Sequence, residues 1–171
     1  ELSAKVFRNA WERRRARASQ VLEHGLMAAS LSPEEAVRIL DSDDDLADSL
    51  FGLLRLALDS DPATDLLLST LIAELLRSTQ ATERERLLIM GDAVRNLRSI
   101  HIRILHSIHA VGGQQRASDI ATDVAVPEAE LRGVVRDLEL RGMIKDADLH
   151  PIEWRIRELG AAVIRMTRDT S

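Results

Sequence analysis

Apolar positions recur at three- and four-residue spacings over most of the chain, which is the pattern of helices with one buried face. Phe7, Ala10, Trp11, Ala18, Val21, Leu22, Leu26 and Ala29 follow that spacing and predict one long helix over 3–29. Ser32-Pro33-Glu34-Glu35 reads as a capping box with proline at the first helical position and predicts a short helix, 33–40. The acidic run Asp41-Ser42-Asp43-Asp44-Asp45 places negative charge at the start of a helix over 43–59, where the helix dipole favours it. Ser60-Asp61-Pro62 restarts the chain. The stretch 63–79, with Leu66, Leu67, Leu68, Leu71, Ile72, Leu75 and Leu76, is apolar around more than half its circumference, as expected of a helix at the centre of a bundle. Thr82, with Glu85 three residues on, predicts the cap of a helix that runs to Leu97. Residues 1–97 thus read as a five-helix bundle with short connections.

From Ile100 the pattern changes. A helix over 99–110, with Ile100, Ile104, Leu105 and Ile108 inward, meets a strong stop at Gly112-Gly113. Ser118 is placed to cap a short helix, 118–124, and Pro127 opens another that reaches Arg141 with Leu131, Val134, Val135 and Leu138 on one stripe. Gly142 ends it. Met143–Leu149 and Ile152–Arg157 read as a two-stranded β-hairpin, and Glu158–Thr167 as a closing helix. The expected fold is mainly α: a helical bundle, 1–97, joined without a flexible linker to a second domain, 98–171, that carries the small hairpin.

The residues of that second domain carry a family resemblance. Ala117-Ser118-Asp119-Ile120-Ala121, Val126-Pro127-Glu128-Ala129-Glu130-Leu131 and Val135-Arg136-Asp137-Leu138-Glu139-Leu140-Arg141-Gly142-Met143-Ile144 resemble the helix-turn-helix of bacterial winged-helix regulators. Trp154-Arg155-Ile156-Arg157-Glu158-Leu159-Gly160 is similar to the passage from wing to closing helix in regulators of the multiple-antibiotic-resistance type. The bundle also resembles helical regions of uncharacterised actinobacterial proteins, through Trp11-Glu12-Arg13-Arg14-Arg15, Leu31-Ser32-Pro33-Glu34-Glu35 and Leu97-Arg98-Ser99-Ile100-His101. The winged-helix resemblance implies that the second helix of the pair lies in the major groove of double-stranded DNA, with the wing on the adjacent backbone. On that reading Arg132 and Arg136 face the duplex, and Arg116, Lys145 and Arg155 support them at the edges. The chain departs from the pattern at Glu128 and Glu130, carboxylates in the first turn that repel phosphate.

Composition restrains this picture. The formal net charge is −5, with 13 Lys+Arg against 17 Asp+Glu in residues 1–100 and 10 against 11 in 101–171, so neither half is the polycation that duplex binders commonly are. Two Trp, two Phe and no Tyr leave few rings for stacking single-stranded bases. With no cysteine, disulfides, thiolate metal sites and thiol nucleophiles are excluded, and a reducing cytoplasm fits. No apolar run has the roughly 18 residues that a membrane span needs. The chain opens at Glu1 rather than Met and is read as trimmed there, so a targeting segment before Glu1 is not legible.

The remaining chemistry is sparse. His101, His106 and His109 share a helix, but the five-residue step from 101 to 106 turns about 140° and prevents all three from converging on a metal. They read as surface or interface histidines. Asp41, Asp43 and Asp45 copy the opening of a calcium loop, but Leu46 and Gly52 stand where that loop needs glycine and glutamate. Arg13, Arg14 and Arg15 read as a solvated helix face or, alternatively, as a site for phosphates, anionic lipid or an acidic protein. No phosphate-binding loop, nucleophile elbow or zinc-protease motif occurs, so neither an enzyme nor a cofactor is expected. The expected function is that of a cytoplasmic DNA-binding, transcription-regulator-like homodimer. The alternative is a protein-interaction adaptor that docks a protein partner on the same domain.

Overall fold

A computed structural model describes residues 2–146 and 153–168, with side chains described for 8–145 and 156–167. The chain is mainly α-helical and divides into two compact units, Glu1–Asn96 and Leu97–Ser171.

The first unit is a helical bundle of α1 (Leu2–Ala29), α2 (Pro33–Asp41), α3 (Asp44–Asp59), α4 (Asp65–Arg77) and α5 (Ala81–Val94), with a 3₁₀ turn at Pro62–Thr64. The leucine-rich α4 lies at its centre, packed against α1, α3 and α5. Leu67, Leu68, Leu71, Ile72 and Leu75 lose all solvent contact there. The helices approach closely where a side chain is missing: a Cβ built on Gly25 of α1 would stand 2.6 Å from Ile72. The capping box of α2 forms as expected, with Ser32 Oγ accepting the Glu35 N–H at 3.2 Å and Glu35 Oε2 accepting the Ser32 N–H at 2.9 Å. Those contacts hold the Glu35 carboxyl below its ordinary pKa. Asp43 caps α3 by accepting the Leu46 N–H at 2.9 Å. Arg84 of α5 grips the same carboxylate with two donors, at 3.0 and 2.7 Å, and holds it in its charged form. The acidic run therefore serves the fold through a long-range ion pair that spacing along the chain does not reveal. The Thr82 cap does not form. α5 starts one residue earlier, at Ala81, and its N-cap position is Gln80, with no side-chain bond.

The second unit comprises α6 (Ser99–Ala110), β1 (Gln114–Arg116), α7 (Ala117–Asp123), α8 (Glu128–Leu140), β2 (Ile144–Asp146), β3 (Glu153–Ile156) and α9 (Glu158–Arg168). Strand β3 runs antiparallel to both others, in the order β1-β3-β2, with Gln115 opposite Trp154 and Asp146 opposite Trp154. Strand β1 was not legible, because Gln114-Gln115-Arg116 lacks the apolar alternation of a half-buried strand. The segment that would join the expected hairpin, 147–152, lies outside the described residues, as does the Phe7 side chain. Ile104, Leu105 and Ile108 of α6, Leu131, Val135 and Leu138 of α8, and Val163 and Ile164 of α9 fill this unit's core. The Ser118 cap is also absent, since α7 begins at Ala117, behind Arg116. The expected glycine stops are in place. Gly112 and Gly142 take positive φ, and the paired bonds Gly113 N–H to Ile108 and Met143 N–H to Leu138 close the last turns of α6 and α8.

Candidate nucleic-acid interface

The outer face of α8 follows from its inner one. Leu131, Val135 and Leu138 are drawn into the core, so Arg132, Gly133, Arg136 and Leu140 are left outside, with Leu140 72% exposed. Gly133 meets nothing within 4 Å of a built Cβ, which leaves the middle of that face open. Both arginines are engaged on their own helix: Arg132 stands 3.6 Å from Glu128, and Arg136 pairs with Glu139. These are exposed local pairs, each worth a few tenths of a kcal/mol, and a phosphate displaces them easily. Glu128 and Glu130 occupy the first turn, exposed, where the helix dipole stabilises them.

Three further cations were expected at the edges. Arg116 is exposed at the end of β1 and lines a shallow cleft with Val111, Gln114, Gln115, Asp119 and Asp123. Lys145 is exposed on β2. In the ladder it stands opposite Arg155 of β3, and Arg155 in turn stands opposite Gln114 of β1. The Arg155 side chain lies outside the described residues. The sheet register thus brings Lys145 and the Arg155 backbone together, while Arg132 and Arg136 form a second, separate pair one turn apart on α8.

A buried polar group fixes α8 to α6, and the periodicity did not disclose it. His101, expected as a surface or interface residue, is 1% exposed. Its Nδ1 accepts the Arg98 N–H at 2.9 Å, so the ring proton sits on Nε2, which faces Asp137 of α8 at 3.1 Å. The other Asp137 oxygen lies 3.2 Å from Arg141 Nε. Burial pulls the His101 pKa below its ordinary value of 6.5; Asp137 opposes the shift without reversing it, and Arg98 and Arg141 add to it. The imidazole is therefore neutral near pH 7. The one sequence signal was its place: third in a helix that starts at Ser99, where a side chain reaches back to the preceding N–H.

A second group ties three elements of this unit. Ser107 Oγ of α6 lies 2.7 Å from Gln115 Oε1 of β1 and 2.8 Å from Asp123 Oδ2 of α7, and Gln115 Nε2 donates to Asp123 at 2.6 Å. These donors lower the Asp123 pKa. Arg103 of α6 also donates to the Val124 carbonyl at the end of α7. His106 meets Thr167 of α9 at 2.9 Å. Among the described residues no three His, Cys, Asp or Glu side chains are grouped to hold a metal, and no helix is long and apolar enough to cross a membrane. No protein family, curated protein or solved structure matches this chain.

Proposed function

We propose that the second unit is a winged helix-turn-helix module and that the chain is a non-enzymatic, transcription-regulator-like protein that binds double-stranded DNA in the cytoplasm as a homodimer. The observation that carries this reading is the order of elements, helix, strand, helix, helix, strand, strand, helix, with the Leu131, Val135 and Leu138 face of α8 buried and Arg132 and Arg136 outward. Arg132 and Arg136 would contact the duplex, and Arg116, Lys145 and Arg155 its edges. With few cations and two of them self-paired, affinity is modest and falls steeply with salt. Fluorescence anisotropy on genomic fragments at low salt tests this. Arg132→Ala and Arg136→Ala should each weaken binding, and the double change Glu128→Gln with Glu130→Gln should strengthen it by removing repelling charge from the first turn. Binding indifferent to all of these changes places α8 away from DNA.

A second reading is favoured by the same face. The open surface at Gly133 beside exposed Leu140 suits the close approach of another helix, so a protein adaptor is the alternative. Loss of a protein partner on Leu140→Asp, with DNA binding absent, would select it.

A further inference from the structure

Among the described residues, a run of exposed arginines lies outside α8, on the amino-terminal half of α1. Residues 8–16 are all exposed, and they carry Arg8, Arg13, Arg14 and Arg15 against the single acid Glu12, in a chain whose net charge is −5. Two arginines near the base of this segment show where the bundle ends. Arg17 is spent on the fold: it grips Asp65 through Nε at 2.8 and 3.0 Å and reaches the Ser60 carbonyl at 2.6 Å. Arg14 leans on exposed Asp59 at 3.4 Å. Of the other arginines, Arg13 bonds the Asn9 carbonyl, at 3.3 Å, and Arg8 and Arg15 have no carboxylate partner among the described residues. On α8, by contrast, Arg132 and Arg136 each have a glutamate on their own helix.

We infer that this segment of α1 binds the phosphate backbone of double-stranded DNA, an inference that rests on the reading of the chain as a DNA-binding protein and adds the phosphate contacts that α8 lacks. Arg8 and Arg15, seven residues apart, fall within about 20° of one another and about 10 Å apart along the axis, so they line one flank of the helix. An exposed helical segment presenting guanidinium groups along a flank suits a row of phosphates, which Arg binds in bidentate fashion. Charge favours this occupant at low ionic strength, where two such flanks brought together by a second copy repel. A bilayer surface is disfavoured because Ala10, Trp11 and Ala16 are the segment's whole apolar content, far less than the broad apolar face of an interfacial helix.

The test uses the full chain, a labelled mixed-sequence DNA duplex and a salt titration. The triple variant Arg8→Gln, Arg13→Gln, Arg15→Gln leaves the fold-bearing Arg17 and the Asp59-paired Arg14 in place, and unchanged circular dichroism confirms folding. It should weaken binding at least tenfold at low salt and flatten the slope of log affinity against log salt by about 2 to 3. An unchanged affinity and slope overturns the inference. So does preferential capture of phosphatidylserine vesicles by the unaltered chain. The double variant Arg132→Ala, Arg136→Ala separates the two ideas. If only the α1 variant loses binding, the inference stands while the role given to α8 falls; if only the α8 variant does, the reverse holds. No binding by the unaltered chain removes both.

Discussion

His101 gives the residue scale its clearest consequence. Because burial lowers its pKa in the folded state, the unfolded chain binds a proton more readily between pH 6.5 and the depressed folded value. Stability is then fully present above about pH 6.5 and declines as pH falls through that window. Urea unfolding at pH 7.5 and pH 5.5 should show the loss, and His101→Gln should remove most of the pH dependence while keeping an acceptor for the Arg98 N–H. A variant as pH-dependent as the unaltered chain would assign the effect elsewhere. Asp43 and Asp123, whose pKa values are lowered, lose their contribution only in more acid solution, below 3.8. Two other residues sit in a left-handed conformation without being glycine: Ser30 (φ 59°) and Ala125 (φ 51°), each closing the end of a helix. Ser30→Gly and Ala125→Gly should each stabilise by about 1 kcal/mol, measured by the urea midpoint at constant slope, because glycine avoids the Cβ clash of that region.

At the scale of elements, two glycines on the second unit make opposite predictions. A Cβ on Gly160 of α9 would collide with the Met143 backbone carbonyl, which has no rotamer with which to yield. Gly160→Ala should therefore cost about 1–3 kcal/mol in thermal or urea unfolding. Gly133 of α8 faces open space, so Gly133→Ala should instead stabilise by about 0.5–1 kcal/mol, the helix-propensity gain alone. The helices themselves were legible wherever a local rule decides them. The 3–29 periodicity, the Ser32 box, the Gly112 and Gly142 stops and the largely apolar α4 depend on neighbours a few residues away, and the structure has these helices, with α4 two residues shorter at each end than the 63–79 expected. What was not legible depends on distant partners. Asp43 with Arg84, His101 with Asp137, and β1 against β3 are contacts across 41, 36 and some 40 residues, and no local spacing encodes them. The caps assigned to Thr82 and Ser118 did not form: the helices start one residue earlier, at Ala81 and Ala117, behind Gln80 and Arg116, neither of which makes a side-chain cap bond.

For the whole molecule, the long α1 sets an expectation for assembly that its electrostatics make testable. Its 28 residues span about 42 Å, whereas the central α4 it packs on has 13 residues and spans about 20 Å. Val21, Leu26 and Ala29 are buried, but the same stripe continues outward to Trp11, which is 58% exposed. A large aromatic at the centre of an otherwise polar, unpartnered segment is the side chain that most favours association, and a second copy of α1 is the partner that offers a matching stripe. The charge pattern of the sequence displayed the arginines around it but not the fact that the bundle ends at Arg14 and Arg17, which only the ion pairs with Asp59 and Asp65 fix. If two α1 stripes meet at Trp11, Arg8 and Arg15 of each copy come near those of the other, and their repulsion is screened as ionic strength rises. Sedimentation velocity at tens of micromolar should therefore find a homodimer that tightens with added salt, the opposite of the trend expected for DNA binding. Trp11→Ala should shift it to monomer at least tenfold in dissociation constant without altering helix content. A monomer at that concentration in both low and high salt would show that the outer half of α1 does not pair with itself.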